Sequence, residues 1–140
     1  MEKLRIRKND PNAVLPTRAH PEDAGLDLYS LEDKWIAPSE GSMISTGISL
    51  EIPPGHVGMV ADRSSLAKKG VKSAGGVIDA GYRGIVHVVL WNISKQEIQI
   101  RAGDRIAQML ILPIRLLEPL EVVDLEVSDR GDKGFGSSGR

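Results

Sequence analysis

Five short stretches of the chain carry side chains able to do chemistry. In GGVIDAGYRG, residues 75–84, Asp79 follows the apolar pair Val77-Ile78 and precedes Ala80-Gly81. A carboxylate held against apolar neighbours is a candidate general base. Tyr82 adds a flat face and a hydroxyl, while Asp is also a residue type that turns favour for their own sake. In ADRSSLAKKG, residues 61–70, an arginine stands beside two serines that open a helical turn. Outward N–H groups, a planar guanidinium and two hydroxyls suit a phosphate. A serine cap beside a surface arginine accounts for the same residues. Asp27 in AGLDLYS is either a solvated strand residue or a site carboxylate. Gln108 in GDRIAQMLI lies in an apolar run and needs a partner, structural or ligand. The stretch RGDKGFGSSGR, residues 130–140, sets the only phenylalanine, Phe135, among four glycines with Arg130 and Ser137-Ser138. Its N–H groups could wrap a polyphosphate, and Phe135 could stack on a flat base. Gly134, Gly136 and Gly139 match G-x-G-x-x-G formally, but a dinucleotide fingerprint must open a helix inside a βαβ unit.

The elements that must position these groups read as short strands between breakers. Residues 4–8, 25–29, 43–52, 56–62, 85–91, 96–100 and 105–112 are candidate strands, separated by Pro38, Pro53-Pro54-Gly55, Gly75-Gly76, Ala102-Gly103-Asp104 and Pro113. Short strands flanking residues 75–84 predict a β-hairpin there. Residues 85–91, IVHVVLW, are nearly continuously apolar, which predicts burial on both faces or at a subunit contact. Burying Val86, Val88 and Leu90 between subunits and burying them inside one subunit are both open. SSLAKKG fits one short helix with a serine cap and a glycine stop. Without α/β alternation or repeats, the fold class is all-β, a barrel or sandwich.

Composition narrows the function classes. The 140 residues suit one domain, and 41% hydrophobic residues can bury a small core. A formal net charge of -1 gives no field for nucleic acid, and 4% aromatics is too few for a base-stacking platform. The chain has no cysteine, and its three histidines, His20, His56 and His87, make no ligand pair, so a structural metal is not expected. No run approaches the ~20 apolar residues of a membrane span. The stretch MEKLRIRKND lacks the apolar core of a signal peptide, so a soluble cytoplasmic protein is expected.

Taken together and in order, AGLDLYS, DRSSLA, GGVIDAGYRG, DRIAQMLI and RGDKGFGSSG resemble the five motifs of the homotrimeric deoxyuridine triphosphatases (dUTPases), from Ala24 to Gly139. The resemblance implies a jelly-roll-like β-barrel over residues 1–128, a mobile lid over 129–140, and a homotrimer with three shared active sites. It implies hydrolysis of dUTP to dUMP and pyrophosphate, limiting uracil incorporation into DNA and supplying dUMP for thymidylate synthesis. By the same resemblance Asp79 activates the attacking water and Tyr82 packs on the deoxyribose. The backbone of Val77 to Asp79 reads the uracil edge, with Ser73, Gly76, Ile78 and His87 joining the substrate contacts. Arg63, Ser64 and Ser65 are the implied phosphate ligands. Gln108 and Asp27 are implied partners of the phosphates or of water on Mg²⁺, with no direct protein ligand to the metal. Arg130, Phe135, Gly136, Ser137 and Ser138 form the implied lid, supplied by a neighbouring subunit.

Four residues depart from the family pattern. Asp62 stands where relatives often carry Pro or Gly, and a negative charge facing the site would weaken its hold on a triphosphate. Ser73-Ala74 stand where several relatives carry other polar or small residues, and His87 lies beside the expected base pocket. Two rival readings follow from the same stretches. A dCTP deaminase shares the barrel, RSSLA and the Ile-Asp hairpin, but carries a glutamate about where Val89 stands here. A nucleotide-binding regulatory trimer would bind without turnover.

Overall fold

The computed structural model describes residues 2–136. Eleven strands and one short helix follow in order: β1 (Arg5–Lys8), β2 (Leu26–Tyr29), β3 (Lys34–Ile36), β4 (Gly41–Ser45), β5 (Ile48–Glu51), β6 (His56–Ala61), α1 (Ser64–Lys68), β7 (Val71–Ala74), β8 (Val77–Ile78), β9 (His87–Asn92), β10 (Ile98–Ile100) and β11 (Arg105–Pro113). The all-β class expected from the sequence is the class observed. All pairings are antiparallel. The strands form a four-stranded sheet in the order β2-β11-β6-β8, a three-stranded sheet β4-β9-β7, and the pairs β1-β5 and β3-β10. Inward side chains from all of them, among them Leu28, Ile44, Ile48, Val88, Leu90, Ile106 and Met109, make one core.

Several expectations are corrected. Residues 43–52 are not one strand but β4 and β5, which pair with different partners. Gly47 breaks the run with φ +70°, and a Cβ there would sit 3.0 Å from Ala13 and Leu31, so the bend needs glycine. Residues 75–84 do not form a hairpin ladder either, because β8 pairs with β6 while β9 pairs with β4 and β7. The strand reading of IVHVVLW holds, but its burial alternates. Val86, Val88 and Leu90 lie in the protomer's own core at 2%, 1% and 1% exposure, not between subunits, while His87 and Trp91 face out. The helix is capped by Arg63 with no side-chain cap bond, not by a serine. Gly70 follows it at φ +85°, the stop expected. Strands β3 and β7 lie outside the candidate strands of the sequence.

Candidate active site

The loop after β8 carries Asp79 and Tyr82, and its path is fixed by bonds from several directions. Tyr82 N–H donates to Asp79 O at 3.1 Å. The Tyr82 hydroxyl donates to Ile85 O at 2.8 Å, and Arg83 Nη1 donates to Ala80 O at 2.6 Å and to Tyr82 O at 3.1 Å. From the neighbouring segment, Ser49 Oγ donates to Gly84 O at 3.0 Å and Thr46 Oγ1 to Val86 O at 2.6 Å. Both side chains are buried, so these bonds are shielded from water and hold the loop's exit firmly. The exposed Asp79 carboxylate makes no hydrogen bond or ion pair among the described residues and is left available to solvent.

Asp79 lines a cleft of about 300 Å³ together with Gly76, Val77, Ile78, Tyr82 and His87. Met43, Val60, Ile85 and Val86 complete its apolar wall. Strand β8 is the edge of its sheet, so its outer backbone edge keeps N–H and C=O groups without a ladder partner. Its inner side is anchored by Gly58↔Ile78 and Met59↔Val77 pairing, and Gly76 O accepts from Val60 N at 2.8 Å. An open strand edge beside an apolar wall, an aromatic ring and a free carboxylate can bind a planar polar ring and orient a water. His87 turns its Nδ1 toward Ile85 O at 3.1 Å.

The second group gathers where β2, β11 and β6 run side by side. Gln108 stands opposite Asp27 on one side and Ala61 on the other. Its Nε2 donates to Asp62 O at 2.8 Å, leaving the amide oxygen as an acceptor. Arg63 Nε lies 3.4 Å from Asp27 Oδ1, and Arg63 Nη1 donates to Arg105 O at 3.1 Å. Arg105 Nε is 3.8 Å from Asp27 Oδ2. A register shift between Arg105 and Ala107 interrupts the β11-β2 ladder beside this cluster. A cleft of about 600 Å³ is lined here by Arg63, Ser65, Lys69 and Arg105, with Glu97 and Asp104 at its acidic border. Ser64 and Ser65 are exposed at the start of α1. Arginine forks beside free hydroxyls can hold a phosphate chain.

The two clefts share no lining residue. One protomer therefore brings Asp79, Tyr82 and His87 together, and separately Asp27, Arg63, Ser65 and Gln108. Arg105 and Lys69 line the second cleft and were not among the expected site residues. The signal for Arg105 was its place in DRIAQ, three residues before Gln108 on the same strand. Ser73 is drawn elsewhere: its N–H and its Oγ both donate to Asp62 Oδ1 at 2.6 Å, and Lys72 Nζ lies 2.7 Å from Asp62 Oδ2. Asp62 thus turns its charge toward β7. Partial burial pushes the Asp62 carboxyl up, but the bonds from Lys72 and Ser73 outweigh it and hold it below the ordinary value.

The C-terminal segment leaves the strands after Pro113, where Ile114 N–H donates to Gly55 O at 2.9 Å. Beyond it Leu116, Leu117, Leu120, Val123, Leu125 and Val127 are all exposed. Arg130 Nε donates to Lys133 O at 2.8 Å, Gly131 N–H to Ser128 Oγ at 3.2 Å, and Phe135 is fully exposed. Gly136 has φ +84°. Ser137 and Ser138 lie outside the described residues. Among the described residues, no group of three or more His, Cys, Asp or Glu could hold a metal ion directly. Asp27, already engaged by two guanidinium groups, and the Gln108 amide oxygen suit contacts through water instead. No helix among the described residues is long and apolar enough to cross a membrane.

Comparison with known proteins places this arrangement. The dUTPase family model matches residues 11–139. A deoxyuridine 5'-triphosphate nucleotidohydrolase of Solibacter usitatus is 46% identical over 142 residues, covering 98% of this chain and 96% of the relative. The enzyme of the same name from Clostridium acetobutylicum is 45% identical over 142 residues, covering 99% and 98%. Among solved structures, the Staphylococcus bacteriophage 80alpha dUTPase with dUPNHPP superposes with a TM-score of 0.94 at 32% identity, covering 100% of both chains. A mutant dUTPase from phage phi11 of S. aureus, described as revealing the coordination of a structural Mg(II) ion, gives a TM-score of 0.85 at 30% identity, covering 90% of this chain and 100% of that one. Matched along nearly its whole length by sequence and by fold, the chain belongs to the dUTPase family.

Proposed function

We propose that this protein is a dUTP diphosphatase that hydrolyses dUTP to dUMP and pyrophosphate. The observation that carries the reading is the free Asp79 carboxylate at the end of an open strand edge, in one cleft with Tyr82 and His87. In this reading the outer edge of Val77 and Ile78 pairs with the polar edge of uracil, and Tyr82 stands against the deoxyribose. The Asp79 carboxylate accepts a proton from a water as that water's oxygen attacks the α-phosphorus. The bond from the α-phosphorus to the bridging oxygen breaks, and pyrophosphate leaves with that oxygen and the bonding electrons. Arg63, Ser64, Ser65 and the second N–H of the Gln108 amide hold the phosphates, so catalysis is positioning and charge neutralisation. Asp27 and Gln108 would hold Mg²⁺ through water, and the ion would add to the neutralisation of the triphosphate.

The assembly is a homotrimer in this reading. Two separate clefts on one protomer support sites completed between subunits, and the exposed apolar run from Ile114 to Val127 supports a partner surface to cover it. The segment 129–140, with Arg130, Phe135, Gly136, Ser137 and Ser138, acts as the lid over a neighbour's site, Phe135 stacking on the base. The deaminase alternative has no support at Val89, a half-buried side chain that cannot transfer a proton. The test is pyrophosphate release from dUTP, dCTP, dTTP and UTP with Mg²⁺. Release from dUTP alone is expected. Ammonia from dCTP, or dUTP binding without release, would replace this reading by the deaminase or the regulatory module.

A further inference from the structure

Two of the positions at which this chain departs from the family pattern, Asp62 and Ser73, are each other's partners. Asp62 follows β6 and directly precedes the phosphate turn Arg63-Ser64-Ser65; Ser73 lies in β7, which leads through Gly75-Gly76 to β8 and Asp79. Along this side of β6 the backbone contacts run from Gly58↔Ile78 and Met59↔Val77 to Val60 N–H with Gly76 O. Beyond Val60 the carboxylate takes over: one Asp62 oxygen accepts from both the amide and the hydroxyl of Ser73 at 2.6 Å. The Asp62 main-chain oxygen meanwhile receives the Gln108 amide at 2.8 Å. One residue therefore touches β7 with its side chain and β11 with its backbone, while its chain neighbour is Arg63.

We infer that Asp62 is a positioning residue, which fixes the phosphate turn of a protomer against β7, the strand that leads into its base-reading edge and Asp79. The inference rests on the dUTP reading above. The carboxylate–Ser73 bonds are short, charge-assisted and partly shielded. The Lys72 contact is a lesser part, since its side chain is 62% exposed. The chemistry also explains why an acidic residue is tolerated next to a triphosphate site: its charge is spent on Ser73 and Lys72. It follows that the Ser73 hydroxyl acts through Asp62 rather than on the substrate.

The test is steady-state kinetics on dUTP with Asp62→Ala, Asp62→Asn, Ser73→Ala and the Asp62→Ala/Ser73→Ala pair, each at matched trimer concentration. Asp62→Ala is expected to raise KM about tenfold, the scale of a sub-ångström misplacement of binding groups. Ser73→Ala, which keeps the backbone bond, is expected to raise it less. Asp62→Asn, whose amide oxygen still accepts from Ser73, is expected to stay within about threefold of wild type. The double variant should match Asp62→Ala, because both changes remove one interaction. A purely structural defect would lower the active fraction, and so kcat, without moving KM. An unchanged or lowered KM in Asp62→Ala overturns the inference, the lowered value being what removal of a charge facing the triphosphate would give. Multiplicative effects in the double variant also overturn it and make Ser73 a direct substrate contact. If Asp62→Ala does not fold, Ser73→Ala and Asp62→Asn decide alone: wild-type KM in Ser73→Ala, or a lowered KM in Asp62→Asn, overturns the inference. Wild-type protein inactive on dUTP would sink the functional reading instead.

Discussion

Gly84 offers a way to move Tyr82 without touching it. A Cβ at Gly84 would lie 2.5 Å from the Tyr82 hydroxyl oxygen, 2.6 Å from Cζ and 3.0 Å from Cε1. Gly84 is not among the glycines with left-handed backbone, so alanine there brings no backbone strain of its own. Ordinary carbon contacts need about 3.5–4 Å, so the ring has to retreat by about 1 Å. Tyr82 is half-exposed and can swing toward solvent, which limits the stability loss to its hydrogen bond with Ile85 O, about 1 kcal/mol. Catalysis is more sensitive, since a misplacement of about 1 Å can cost as much as 10²-fold. Gly84→Ala is therefore expected to lower kcat/KM for dUTP by roughly tenfold to a hundredfold. Its preference for dUTP over UTP should shrink, because the ring no longer stands against the 2′-carbon. Pyrophosphate release on both nucleotides, with a melting curve on the same sample, reads all three quantities. Wild-type kcat/KM and wild-type selectivity in Gly84→Ala would refute the role given to Tyr82.

Light scattering is expected to give three times the 15.2 kDa chain mass at micromolar concentration, and a monomer would leave the apolar run of residues 114–127 without a cover. Truncation after Ser128 is expected to spare folding and assembly while turnover collapses, since Arg130 bonds within the segment and Gly131 reaches back only to Ser128, beyond the last strand; a large fall in melting temperature would count against a lid. Phe135→Ala, which deletes only the stack, is expected to cost roughly tenfold to a hundredfold in turnover, and an unaffected variant would remove Phe135 from the site. The depressed Asp62 carboxyl stabilises the fold fully above its unfolded pKa, and that contribution is lost as pH falls through the lower folded value. Asp62→Asn should therefore melt below wild type at neutral pH, with the gap closing below about pH 4; a gap that persists in acid would contradict the sign.

The candidate site residues were legible only through five short motifs taken in order: singly, Asp79 reads equally as a turn residue and Arg63-Ser64-Ser65 as a helix cap. The all-β class was legible from breakers and β-branched runs. What failed has physical causes. Residues 43–52 alternate as one strand would, and only Gly47, an isolated glycine in a strand pattern, signals that the chain changes partner there. IVHVVLW gave no clue to which face is buried, since period two cannot be seen when both faces are apolar. Strands KWI and VKSA are too short and too mixed to register. The link from Asp62 to Ser73 depends on where β7 lies against β6, which no spacing encodes. The separation of the two clefts likewise comes from the fold, which sets one beside β8 and the other between α1, β10 and the start of β11.

Asp79 as the general base is tested most directly by single-turnover pyrophosphate release from Asp79→Asn, with dUTP affinity measured on the same protein. The substitution keeps the shape of an exposed side chain that makes no internal bond among the described residues, so fold and affinity should stay near wild type. Loss of the carboxylate that takes the water's proton is expected to slow turnover by roughly 10²-fold or more. Near-normal release by Asp79→Asn would contradict the account and move the base elsewhere in the site.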